Sequence, residues 1–167
     1  MVSPLIACLP QINLLAFDFD QTLVDVHTFG RWQDSEAELA KHVRPFFREL
    51  VLAGAEHGMH MAVVTFSAQV SIIRGVLHEA FGEEIASRIV IRGADGSWTY
   101  TGRGACEGKQ AHIASAAEEL TQFTRCSTLL FDDDEHNVRA ALDAGVRAVL
   151  CDTHDPHAMV RDLIALS

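Results

Sequence analysis

The sequence predicts a doubly wound α/β domain, a parallel five-stranded sheet with helices on both faces. Three observations carry this. Short, continuously apolar runs recur from one end of the chain to the other, as strands buried on both faces read. Helix-length segments separate them, and parallel strands need such crossovers. With 49% hydrophobic and 22% charged residues, the 167-residue chain has material for one core.

The elements follow in order. Leu14 to Phe17 is an apolar run that stops abruptly at Asp18 and reads as the first strand. Residues 35 to 57 carry helical periodicity, with Asp34 or Ser35 as N-cap and a break or restart at Pro45. Met59 to Val64 is the second strand, and Ala68 to Ala80 a helix. Arg88 to Ile91 is the third strand, followed by a glycine-rich loop or small hairpin from Gly93 to Gly104. Lys109 to Leu120 is a helix and Thr128 to Phe131 the fourth strand. Asn137 to Ala144 is a helix closed by Gly145. Val146 to Leu150 is the fifth strand, and Pro156 to Leu166 a last helix.

Charge and cysteine usage narrow the function. Thirteen basic residues face 23 acidic ones, a net charge of −10, which repels polyanions, so no nucleic-acid footprint is expected. No apolar run is long enough to span a membrane. The segment Met1 to Pro10 is apolar but lacks a basic n-region, so it does not read as a signal peptide. Cys8, Cys106, Cys126 and Cys151 are widely spaced and read as reduced thiols, which points to the cytoplasm. Cys151-x-x-His154-x-x-His157 has no second cysteine pair beside it, and no zinc site is expected there.

Doubly wound sheets bind ligands at the carboxyl ends of their strands. The first strand ends in Asp18-Phe19-Asp20-Gln21-Thr22, the second in Thr65-Phe66-Ser67 and the fourth in Asp132-Asp133-Asp134. Aspartate is common in turns and caps, which is the plain structural reading of each acid alone. Carboxylates set directly after buried strands repel one another and lose hydration, however, and a divalent cation is the simplest relief. Lys109 opens a helix whose N-terminus already favours an anion.

These residues together resemble the four motifs of the haloacid dehalogenase-like superfamily, in order along nearly the whole chain. Asp18-Phe19-Asp20-Gln21-Thr22 resembles its D-x-D-x-T, Thr65 its second-motif hydroxyl and Lys109 its lysine. Asp132-Asp133 with Asn137 resembles its D-D-x-x-x-N. The resemblance implies a Rossmann-like sheet and a phosphatase. Asp18 would be the nucleophile, and Asp20 the general acid and then the base. Thr65 and Lys109 would hold the phosphoryl oxygens. Mg²⁺ would be bound by Asp18, the backbone carbonyl of Asp20, and Asp133, with Asp132, Asn137 and Thr22 in support.

Members of the superfamily often carry a cap domain. The stretches from Asp18 to Thr65 and from Thr65 to Lys109 are used up by the elements above, leaving no room for one. The chain is thus expected to be a single domain over 1–167, of the capless type similar to the small magnesium-dependent phosphatases. A flap is expected over about 23–33, in which Phe29 and Trp32 suit substrate contact and packing equally. The expected function is Mg²⁺-dependent hydrolysis of a phosphomonoester, on a phosphorylated protein or small molecule. A phosphotransferase, or a phosphatase-like binding module with incidental activity, is the alternative. An oligomer whose neighbouring subunit roofs the site is compatible with the sequence.

Overall fold

Strand β1 (Leu14–Phe17) sits at the centre of the sheet, and all four of its residues are buried. β2 (His60–Val64) pairs with one edge of it, and β3 (Ile89–Arg92) lies outside β2. β4 (Thr128–Asp132) pairs with its other edge, and β5 (Arg147–Leu150) lies outside β4. Every pairing is parallel, as expected, and the order is β3-β2-β1-β4-β5. The computed structural model describes residues 9, 11–120, 124–152 and 155–166, without the side chains of 156, 157 and 166. The expectations about Met1 to Pro10 (Leu9 apart), Cys8, His154 and the His157 side chain lie outside them.

Among the described residues six α-helices cover the sheet: α1 (Glu36–Ala40), α2 (Pro45–Glu56), α3 (Val70–Ala86), α4 (Gln110–Leu120), α5 (Glu135–Asp143) and α6 (Pro156–Leu166). The period-two alternation of strands sorts the core into two layers. Leu15, Phe17, Met61, Val63, Ile89, Ile91, Leu129 and Phe131 face a large cluster shared with α1, α2, α3 and α6. Leu14, Ala16, Ala62, Val64, Val90 and Leu130 face a smaller cluster with α4 and α5. The first layer is built on aromatics: the Phe17 ring meets Phe47 edge-on at 5.7 Å and stacks on Phe131 at 5.8 Å. Each ring buried this way contributes roughly 1.5–3 kcal/mol.

Several boundaries differ from the sequence reading for local reasons. The expected long helix is two helices, because Pro45 lacks an N–H to continue the first and starts the second at its N-terminal turn. Ser35, not Asp34, caps α1, its hydroxyl accepting from Glu38 N at 3.2 Å. α3 runs beyond Ala80 to Ala86 with a kink at Gly82, whose φ of +77° a glycine tolerates. Residues 93–104 form a loop without strands, and Trp98 Nε1 pins it by donating to Gly93 O at 2.6 Å. Between the strands lie only these helices and loops, with no inserted cap domain among the described residues. Among them too, Cys106, Cys126 and Cys151 are unpaired, and no helix is long and apolar enough to cross a membrane.

Candidate active site

β1 has β2 and then β3 on one side, and β4 and β5 on the other, so the chain changes direction across the sheet between β1 and β4. A crevice forms at the carboxyl ends of the strands at such a switch point. Phe17 is level with Phe131, and Asp18 N donates to Phe131 O at 2.8 Å. The register therefore brings the next residues, Asp18 and Asp132, side by side at the floor of a cleft of about 530 Å³.

After Asp18 the chain makes one wide turn over Phe19–Leu23, in which Leu23 N donates to Asp18 O and Val24 N to Phe19 O. Such single wide turns recur at functional sites. Gln21 takes φ +58° within it. The turn buries Thr22, whose hydroxyl donates to Asp133 Oδ1 at 3.2 Å, and leaves the Asp20 carboxylate facing the flap. There the Thr28 hydroxyl lies 2.8 and 3.0 Å from the two Asp20 carboxylate oxygens, and His27 Nδ1 stands 3.2 Å from Oδ2.

Lys109 is delivered to the floor from the other side. Gly108 precedes it at φ +56°, and a Cβ there would come within 3.0 Å of Asn137 Oδ1 and 3.3 Å of the Ala140 Cβ. Glycine thus allows the backbone to press against α5 and the Lys109 side chain to enter, 2% exposed. Its ammonium hydrogen-bonds Asp18 and lies 2.7 Å from Asp132 Oδ2. Asp132, fully buried, also accepts from Asn137 Nδ2 at 3.1 Å and Asp134 N at 3.0 Å. Asp134 in turn caps α5, accepting from His136 N. Thr65 is buried at the end of β2, its hydroxyl accepting from Ser67 N at 3.1 Å.

The electrostatics of this floor are unbalanced. Asp18, Asp132 and Asp133 each offer an oxygen within 4.8 Å of the others, and among the described residues one ammonium, that of Lys109, pairs with them. Burial pushes the Asp18 carboxyl up to about 7; Lys109 pulls it down, while Asp132 and Asp133 add to the rise. Burial disfavours the Lys109 ammonium too, but Asp18 and Asp132 outweigh it and the pKa is raised. The lysine stays charged. The remaining negative charge, on hard oxygen donors, is what a divalent cation neutralises.

The structure gathers Asp18, Asp20, Thr65, Lys109, Asp132, Asp133 and Asn137 on one cleft, with Thr22 beneath it. The Asp20 carboxylate stands apart from the three-acid cluster, on the flap side. The two flap aromatics part company. Trp32 packs on the core and is held through its backbone by Gln69 at 3.0 and 3.3 Å, while Phe29 lines the cleft. Sequence reasoning did not find His27 or Phe66 as cleft residues, nor the buried Thr28 as the partner of Asp20. Phe66 had a signal, directly following Thr65 at a strand end. His27 and Thr28 lie in an irregular loop and had none.

No protein-family model and no curated protein matches the sequence. Solved structures do match. The N-terminal part of protein BF1531 from Bacteroides fragilis, containing a phosphatase domain and complexed with Mg, aligns with TM-score 0.63 and 15% identity. The match covers 99% of this chain and 43% of that one. CbbY from Rhodobacter sphaeroides, in complex with phosphate, aligns with TM-score 0.56 and 16% identity over 83% of this chain and 85% of that one. A predicted HAD-like family hydrolase from Porphyromonas gingivalis gives 0.57 and 12% over 92% and 98%. From its parallel sheet, its strand order and these neighbours, the chain has the haloacid dehalogenase-like fold, with no inserted cap among the described residues.

Proposed function

We propose that this chain is a Mg²⁺-dependent phosphomonoester hydrolase that works through an aspartyl-phosphate on Asp18, as one catalytic domain. One observation carries the reading: a buried lysine bridging the strand-end carboxylates Asp18 and Asp132, with a third carboxylate, Asp133, beside them. A purely structural ion pair needs one acid, not three. The donor set is all oxygen and fits Mg²⁺. Asp18, Asp133 and the Asp20 backbone carbonyl would hold the ion, since Asp132 is engaged by Lys109 and Asn137. Once bound, Mg²⁺ supplies the positive charge that lets a phosphate dianion approach a carboxylate. The Bacteroides neighbour carries Mg and the Rhodobacter one phosphate, the two species the reading requires.

The chain's own residues then divide the work. An Asp18 carboxylate oxygen attacks phosphorus and the bond to the leaving oxygen breaks, while Asp20 gives that oxygen a proton. In the second half Asp20 takes a proton from water, which attacks the same phosphorus and releases phosphate and the free Asp18 carboxylate. Attack consumes the Asp18 charge, so the Lys109 ammonium turns toward the equatorial phosphoryl oxygens, with the Thr65 hydroxyl beside it. The Thr28 hydroxyl orients Asp20. The open cleft admits a phosphate presented on a protein as well as on a small molecule. A cytoplasmic setting suits the unpaired cysteines.

The test is hydrolysis of p-nitrophenyl phosphate by the purified chain. EDTA abolishes turnover, Mg²⁺ restores it, and Ca²⁺ inhibits, because its larger irregular shell fits in-line attack poorly. Mass spectrometry then finds the acid-quenched phosphate on the Asp18 peptide. Full activity after exhaustive chelation, or no turnover with Mg²⁺, would overturn the reading.

A further inference from the structure

Five large apolar side chains are exposed among the described residues, and two of them, Phe29 and Phe66, line the catalytic cleft. Phe29 is 76% exposed and held at φ +54°, in the left-handed region that disfavours any residue with a Cβ. Strain of this kind at a cleft mouth is a pointer to function. Its ring stacks on His27 at 4.2 Å with 11° between the planes, and His27 Nδ1 is 3.2 Å from Asp20. Phe66, 57% exposed, has its ring centroid 5.5 Å from the Lys109 ammonium that binds Asp18. Behind it His112 meets the ring edge-on at 5.2 Å, and Trp98 packs on His112 at 4.6 Å. Each exposed ring is therefore one side-chain group away from a catalytic carboxylate, Phe29 through an imidazole and Phe66 through an ammonium.

We propose that Phe29 and Phe66 are specificity-determining residues that receive the planar ring of an aryl phosphate, with the ester oxygen bonded directly to the ring. This rests on the phosphatase reading above and names its substrate class. The spacing carries the choice. Each phenylalanine stands one group away from a carboxylate of the site, so a ring joined to phosphorus through a single oxygen is the group held nearest to both. In a nucleotide the ribose holds the base several bonds farther from phosphorus. Planarity follows from chemistry, since aromatic faces and edges attract one another beyond what buried area alone supplies. Among the described residues, these two rings are the large exposed apolar side chains that line the cleft.

The experiment uses phosphonates, which bind without reacting, so leaving-group chemistry does not enter. Benzylphosphonate replaces the ester oxygen of phenyl phosphate by a methylene. Cyclohexylmethylphosphonate has the same length without a π face, and ethylphosphonate has no ring. Calorimetry on the full chain with Mg²⁺ is expected to show benzylphosphonate binding about tenfold tighter than cyclohexylmethylphosphonate. The ratio falls to about threefold in Phe29→Leu or Phe66→Leu and to about one in the double variant. Leucine keeps apolar bulk at these exposed positions, and circular dichroism checks folding. If a variant does not fold, the wild-type ratio alone decides. Equal affinity for the two ringed ligands, or a preference that survives the double substitution, overturns the inference while leaving the phosphatase reading in place. Failure of every phosphonate and of inorganic phosphate to bind overturns both.

Discussion

At the floor of the cleft, Asp18, Lys109 and Asp132 are at most 6% exposed, and each pairs with a residue distant in sequence. At the rim, His27, Phe29 and Phe66 come from loops, and the two phenylalanines are mostly in solvent. The floor is overdetermined: the register of β1 with β4 places the acids, and Gly108 lets the lysine reach them. The rim is determined by short local contacts such as Thr28 to Asp20. This difference separates what each region can do. A buried charge cluster constrains the chemistry, because removing its one ammonium strands carboxylates in low dielectric. An exposed loop can alter the substrate without disturbing the fold.

Substitutions on the two sides should therefore behave differently. Asp18→Asn should cost about 10⁴-fold in turnover, since an amide cannot form the acyl-phosphate. It should stay folded, because burial already pushes this carboxyl toward its neutral form. A phosphatase assay beside a thermal melt checks both, and turnover near wild type would remove Asp18 from the nucleophile role. Lys109→Met should damage stability as well as rate. It leaves Asp18 and Asp132 facing each other without the ammonium, at about 3 kcal/mol in urea titrations with EDTA, and Mg²⁺ should recover part of that. Unchanged stability in EDTA would mean that the buried pair does not hold the floor together.

Moving toward the rim, Asp20→Asn should slow alkyl phosphates by roughly 10²- to 10³-fold and aryl phosphates less in the first step. With a good leaving group the phosphate should accumulate on Asp18, and rapid-quench labelling looks for it. Equal slowing of both classes with no trapped phosphate would leave Asp20 a metal-site residue alone. Thr28→Val should reduce turnover by no more than about tenfold and leave the melting temperature within a few degrees, because only the orientation of Asp20 is lost.

The smallest effect concerns His112, behind the Phe66 ring. Burial, with Lys109 adding, lowers its pKa to about 4, and its Nδ1 has no hydrogen-bond partner. The unfolded chain binds the extra proton first, so this contribution to stability is complete above about 6.5 and is lost as pH falls toward about 4. His112→Phe should therefore flatten the fall in melting temperature over that window. An unaltered slope would show that His112 does not titrate with unfolding.

Much of this was legible before any coordinates. The apolar runs marked all five strands, because a parallel strand buried on both faces admits almost nothing polar. Their polar ends marked Asp18, Thr65 and Asp132-Asp133. Less legible was the helix around Pro45, where periodicity continues through a residue that backbone chemistry does not permit mid-helix. The flap was least legible. Residues 25–34 have no period to read, so Phe29 and Trp32 looked equivalent although one is exposed on the cleft and the other packs on the core.

The sequence by itself determined the sheet, its two core layers and the set of polar groups at the strand ends. These follow from local rules: alternation, apolar run length and the places where hydrophobicity stops. Tertiary structure alone decided which of those groups meet. Lys109 bonds Asp18 across 91 residues, and Thr22 bonds Asp133 across 111. Such pairs depend on strand order and register, which no local pattern encodes. The same holds for the rim, where Phe29 and Phe66, on different loops, come to line one cleft because β1 and β2 lie side by side in the sheet.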